Sequence, residues 1–166
     1  MTRVAAVVRT PTGPAFTVVL VCHVAVVLIG LVTIAAGALA AARVLSANGR
    51  PLPPSVRNYF SPGVNWAGRV LYLVPVFGAV LLAMSHGADR VGSPWVLEGI
   101  GLWAGAVALA EGVMWPAERR VQRALGAGDG AQAGSDVRRA CRHICAAAGG
   151  AFALVVAAMV VMVARP

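Results

Sequence analysis

Ala15-Phe-Thr-Val-Val-Leu-Val-Cys-His-Val-Ala-Val-Val-Leu-Ile-Gly-Leu-Val-Thr-Ile-Ala-Ala-Gly-Ala-Leu-Ala-Ala-Ala42 runs for 28 residues without a charged side chain. A helix rises about 1.5 Å per residue and needs about 20 residues to cross a hydrocarbon core of about 30 Å. The stretch therefore predicts a membrane-crossing helix over 15–42, with length to spare for tilt. A secretory signal has an apolar core of only about 7–15 residues, so this run reads as a retained helix, even though Ala36-Gly-Ala-Leu-Ala-Ala41 resembles a cleavage site.

Three further apolar runs of sufficient length follow, at 66–86, 95–115 and 144–164. Breakers separate them: Asn48-Gly49-Arg50-Pro51-Leu52-Pro53-Pro54 and Ser61-Pro62-Gly63, then Gly92-Ser93-Pro94, then Pro116. The expected fold is all-α, a polytopic membrane protein built as one antiparallel bundle of four transmembrane helices spanning 1–166. Its long connections are 43–65 and 116–143. Composition agrees, with 59% hydrophobic residues, 12% charged residues and a mean hydropathy of +0.79. A soluble domain this apolar has too little polar surface to meet water.

All 14 basic residues are arginines, and they lie almost wholly between the apolar runs. With a net charge of +8, that placement points to anionic lipid headgroups and not to nucleic acid. Ten arginines (Arg43, Arg50, Arg57, Arg69, Arg119, Arg120, Arg123, Arg138, Arg139, Arg142) fall on one side of the membrane, against Arg3, Arg9, Arg90 and Arg165 on the other. Positive charge is retained in the cytoplasm, so both termini are expected outside and both long connections inside. The segment Glu118-Arg-Arg-Val-Gln-Arg-Ala-Leu125 reads as an extension of the third helix along the membrane surface. There Arg119, Arg120 and Arg123, with Arg138, Arg139 and Arg142, meet headgroups at about 1 kcal/mol each, or dock an acidic partner.

Helices in lipid associate through small residues. Gly101, Gly105, Ala108 and Gly112 form such a stripe on the third helix, and Glu98 shares its face. This predicts that Glu98 looks into the bundle and Trp103 into lipid. Gly30 and Gly37 line up with Ala41 and His23 on the first helix, and Gly149 with Ala146, Gly150 and Ala153 serves the fourth.

Ionisable groups within spans normally need a partner, because a charge at mid-bilayer costs about 2.5–3.5 kcal/mol on insertion scales. Arg69 and Glu111 match in depth and are expected to form a buried ion pair, as a latch between helices or part of a proton path. Toward the other end lie His23, His86, Asp89 and Glu98. Two imidazoles with carboxylates suit copper or zinc, and two imidazoles suit haem iron. Against one tight site, His23 and Glu98 differ in depth by about 7 Å. The plainer expectation is that His23 bonds to a backbone carbonyl while His86 and Asp89 cap a helix end. Cys141 and Cys145, spaced i and i+4, lack further thiolate partners and read as small packing residues or acylation targets. No nucleophile elbow, HExxH, phosphate loop or Rossmann fingerprint occurs, so catalysis is not expected.

Arg57-Asn-Tyr-Phe-Ser-Pro-Gly-Val-Asn-Trp-Ala-Gly-Arg-Val-Leu-Tyr-Leu-Val-Pro-Val-Phe-Gly78, with Trp95–Trp103 and Trp115-Pro-Ala-Glu-Arg-Arg120, resembles a bacterial, actinobacterial-type family of four-helix integral membrane proteins of unknown function. The resemblance covers about half the chain and extends distantly to the membrane domain of copper-resistance D proteins. It implies an inner-membrane location and gives copper its place among the expected ligands. The leading functional expectation is a non-enzymatic structural or accessory subunit, packing with itself or with a larger membrane complex and needing no cofactor. Metal or haem handling through the histidines comes second. A small transporter or proton path using Glu111, Glu98 and a kink at Pro75 comes third.

Overall fold

A backbone in hydrocarbon finds no water to bond, so helices are the economical way for one chain to cross it. The computed structural model describes residues 13–47, 50–63, 66–85, 91–126 and 134–164. It contains α1 (Pro14–Ala47), α2 (Pro54–Tyr59), a 3-10 segment (Trp66–Tyr72) leading into α3 (Leu73–Met84), α4 (Pro94–Leu109), a π segment (Ala110–Met114) leading into α5 (Trp115–Gly126), and α6 (Ser135–Ala164). No strand occurs among the described residues. Four helical stretches are long and apolar enough to cross a membrane: Pro14–Ala47, Trp66–Met84, Pro94–Gly126 and Ser135–Ala164.

The α6 helix lies between α1 and α4, and the second span packs on the side of α1. The buried faces of these two helices are built from small and β-branched residues: Ile34, Ala40, Ala41 and Val44 on α1, with Gly30 under Leu71 of the second span, and Ala140, Cys141, Ile144, Ala147, Ala148 and Ala151 on α6. Small residues let the two backbones approach, which maximises dispersion contact where lipid offers no hydrophobic drive. By contrast, α3 contributes no fully buried residue and lies at the rim.

At about 1.5 Å per residue, α1 and α6 are near 50 and 45 Å long and outrun the hydrocarbon core. The surplus of both lies at the arginine-rich end, where Val44, Val56, Phe60, Val121 and Val137 join the same buried cluster. There α2 folds back beneath the bundle, and Gln122 Nε2 donates to the Gly63 carbonyl at 3.5 Å.

The expected helix limits need correction at that end. The extension expected over 118–125 is present, since the third helix continues past Pro116 to Gly126, but the fourth helix begins at Ser135 and not at 144, so most of the expected connection 116–143 is helical. Pro116 has no N–H for the Gly112 carbonyl one turn back, and its ring would collide with that carbonyl in a regular helix. The π segment relieves this: the Trp115 N–H reaches the Ala110 carbonyl, five residues back, and the widened turn carries the chain past the ring.

Helix faces also differ from expectation. The buried side of α4 holds Val96, Gly99 and Ala106, followed by Ala110 and Met114, while Glu98, Gly101, Ala108 and Gly112 are exposed. Gly105 is half-buried against Leu154. On α6 it is Gly150, facing Leu109, that admits a neighbour, whereas nothing lies within 4 Å of a Cβ placed on Gly149. Gly30 and Gly37 are buried, with the Leu71 side chain filling the space over Gly30.

Trp103 does not point into lipid. Its indole Nε1 donates to the Leu71 carbonyl at 3.0 Å. Leu71 lies four residues before Pro75, so this carbonyl lacks the helical N–H it would otherwise receive. The indole of α4 supplies a replacement donor, as neighbouring helices commonly do around prolines in membranes. Trp103→Phe is expected to destabilise the protein in detergent by about 0.5–2 kcal/mol. The loss should shrink when Pro75→Ala restores the missing donor. Thermal unfolding of both single variants and the double variant gives the coupling, and strict additivity would contradict this account.

Candidate functional site

The polar side chains that the bundle brings together lie where the second and third spans enter the arginine-rich end. Arg69 and Glu111, expected to pair, are each engaged elsewhere. The Arg69 guanidinium lies 5.2 Å from the Trp115 ring centroid and 5.8 Å from that of Trp66. An indole face attracts a guanidinium by its quadrupole while remaining comfortable beside lipid. Glu111, inside the π segment, accepts from the Tyr72 hydroxyl. Tyr72 packs edge-on against Trp115 with centroids 6.1 Å apart. The acid and the base are thus joined through two aromatic rings and not by direct contact. The 3-10 segment places Arg69 and Tyr72 three residues apart, so both reach toward Trp115.

One turn farther along, Glu118 is only 4% exposed. Its Oε1 accepts from the Tyr59 hydroxyl of α2 at 2.7 Å. Gly37 of α1 makes room for this pair, since a Cβ there would stand 2.8 Å from the Tyr59 oxygen, 3.2 Å from Glu118 Oε1 and 2.6 Å from Met114 Cε. Three elements therefore converge on one hydrogen bond. The sequence reading assigned Glu118 to a surface segment and attached no role to Tyr59. The available signal was Gly37, whose absent side chain marks where something large must enter.

Toward the opposite end, His23 packs on the second span. It shares a hydrogen bond with the Val74 backbone, and its Cε1 lies 3.6 Å from a Cβ placed on Gly78. Its Nδ1 is buried and finds no hydrogen-bond partner among the described residues. Glu98 is exposed on α4, away from the buried face of that helix. His86 and Asp89 lie outside the described residues. Among the described residues, no group of three or more His, Cys, Asp or Glu is placed to hold a metal ion.

Cys141 is fully buried on α6, and the Cys145 thiol lies 3.6 Å from the Ala38 carbonyl of α1. Both behave as compact packing residues. Of the arginines expected at headgroups, Arg119, Arg120, Arg123, Arg139 and Arg142 are exposed and Arg138 is half-buried. Arg123 Nε donates to the Arg119 carbonyl at 3.2 Å, which holds its stem along α5.

The buried carboxyl of Glu118 sets a clear expectation. Tyr59→Phe removes its donor and should cost about 1–3 kcal/mol, whereas Glu118→Gln, which keeps an acceptor oxygen, should cost less. Because the bond tethers α2, trypsin should cleave after exposed Arg57 faster in Tyr59→Phe than in the parent, and unchanged cleavage would show that α2 is held by other means.

Compared with known proteins, the chain finds no match among family models, curated proteins or solved structures.

Proposed function

We propose that this chain is a non-enzymatic structural or accessory subunit of a bacterial inner membrane, which offers one face of its third span to another transmembrane helix. One observation carries this reading. Gly101, Ala108 and Gly112 are exposed, and a Cβ added to Gly101 or Gly112 would meet nothing within 4 Å. Ala108 and Gly112 form a small-xxx-small pair suited to close helix approach, and the intramolecular packing, which reaches only Gly105 of this stripe, leaves the pair unused. Glu98 stands on the same exposed face, and a carboxylate bordering lipid gains from a polar partner on an incoming helix. The incoming helix belongs to a second copy or to a larger complex. The arginine count supports placing the two basic connections in the cytoplasm, and the family resemblance supports the inner membrane.

Gly101→Leu with Gly112→Leu should leave monomer stability nearly unchanged, because no neighbour is displaced, yet reduce association in native membranes by tenfold or more. Photocrosslinking from position 108, compared with position 32 on the lipid-facing side of α1, reads that association. Wild-type protein that yields no crosslinked species from position 108 would exclude the reading.

A second reading, metal or haem handling, is favoured by Nδ1 of His23, a buried imidazole nitrogen with no hydrogen-bond partner among the described residues. It requires ligands from the residues around 86–89. Protein purified without a metal-binding tag should then carry copper, zinc or iron near one atom per chain and lose it in His23→Ala. Equal metal content in parent and variant would dispose of this alternative.

A further inference from the structure

The two helices that leave the membrane at the arginine-rich end, α5 and the start of α6, enclose an open cleft of about 560 Å³. Arg120, Arg123 and Arg139 line it, with Asp136 and the apolar side chains of Ala124, Val137 and Ala140. Three arginines against one aspartate leave a lining charge of +2 (3 − 1). All three arginines are exposed, and like charges gathered on facing helices repel unless an anion lies between them.

Depth identifies the anion. Arg120 stands five residues beyond Trp115, where the third apolar run ends, and Arg139 five residues before Ile144, where the fourth begins. At about 1.5 Å per residue, each lies roughly 7–8 Å outside the hydrocarbon core. A headgroup layer is about 5–7.5 Å thick on each side, so both stems start at its outer edge and their long side chains reach back to the phosphates. Arg123 is one turn farther out. The guanidinium fork matches two phosphate oxygens at once. The first turn of α6, which supplies Asp136 and Val137 to the wall, adds the partial positive charge of a helix start.

We infer that this cleft is a binding site for the phosphate of an anionic phospholipid, held between Arg120 and Arg123 on α5 and Arg139 on α6. The ligand is a lipid headgroup and not a soluble anion because Arg120 and Arg139, the arginines nearest the core, reach the level where bilayer phosphates already sit. The inference stands apart from the proposed helix contact at Gly101, on a different helix face and outside the hydrocarbon core.

The test uses the full chain in phosphatidylcholine nanodiscs doped with phosphatidylglycerol, and native mass spectrometry counts the lipids retained on release. Parent protein should keep one phosphatidylglycerol per chain. The pair Arg120→Gln with Arg139→Gln should weaken retention about 25-fold, at about fivefold for each basic residue removed. Arg50→Gln with Arg57→Gln removes the same charge from exposed positions elsewhere and should leave retention intact. Arg120→Lys with Arg139→Lys should fall between, keeping charge without the fork. The inference is overturned if both Gln pairs lose lipid equally, which would mark a diffuse field. It also fails if millimolar inorganic phosphate displaces the lipid, or if no anionic lipid is retained and an acidic peptide binds through Arg120 and Arg139 instead. Circular dichroism of each variant separates these outcomes from loss of folding.

Discussion

The close packing of α6 on α1, helices whose buried faces carry Ala40 and Ala41 on one and Ala140, Ala147, Ala148 and Ala151 on the other, sets the geometry of everything else. In hydrocarbon the association of two helices gains little from burying apolar surface, so contact area at short range must hold them. Past the membrane the same two helices enter water, and the rules change. There Val44, Val56, Phe60, Val121 and Val137 close an apolar cluster of the kind a soluble domain would build. The bundle is thus held at one end by the hydrophobic effect and along its length by close fit. Side chains with polar atoms collect at the junction between the two regimes.

Two prolines show how a chain in lipid handles lost backbone donors. Pro75 leaves the Leu71 carbonyl short, and Trp103 reaches across from another helix to supply it. Pro116 is accommodated within its own helix, by one residue of extra winding between Ala110 and Trp115. The first solution ties the second span to the third. The second solution lets the third span leave the membrane without a break, and that continuity carries Glu118 to the place where α2 can meet it. Glu111, Tyr72, Trp115 and Arg69 form a chain of contacts around that same π turn, so the irregular winding and the polar cluster share one location.

The four spans and the all-helical fold were legible in the sequence, because runs such as 15–42 have no plausible alternative in water. The orientation of each span was not. A soluble helix announces its buried face by polarity, but in α4 the faces toward lipid and toward protein are both apolar, and glycine suits either an internal seam or an external one. Glu98, Trp103 and Gly149 were misplaced for that reason. Arg69 and Glu111 were correctly seen as needing partners, yet matching depth alone does not distinguish a direct pair from aromatic and phenolic substitutes. Tyr59 with Glu118 escaped notice because the extension over 118–125 was expected to lie along the membrane surface, where a carboxylate meets water and needs no buried partner.

The bond from Tyr59 to Glu118 joins residues separated by 59 positions. During synthesis the first connection emerges well before the third span exists, so α2 has no carboxylate to meet and Gly37 has an empty notch beside it. Until the third span has crossed the bilayer and its extension has wound past Pro116, α2 packs on α1 without the Glu118 bond that ties it to the third span. Until then Phe60 and Val56, later sealed inside, face water or the membrane surface. The order in which the spans enter the membrane is therefore written into the fold: the first connection takes its final place late, and a chain halted after the second span would leave that apolar segment for quality-control machinery to recognise.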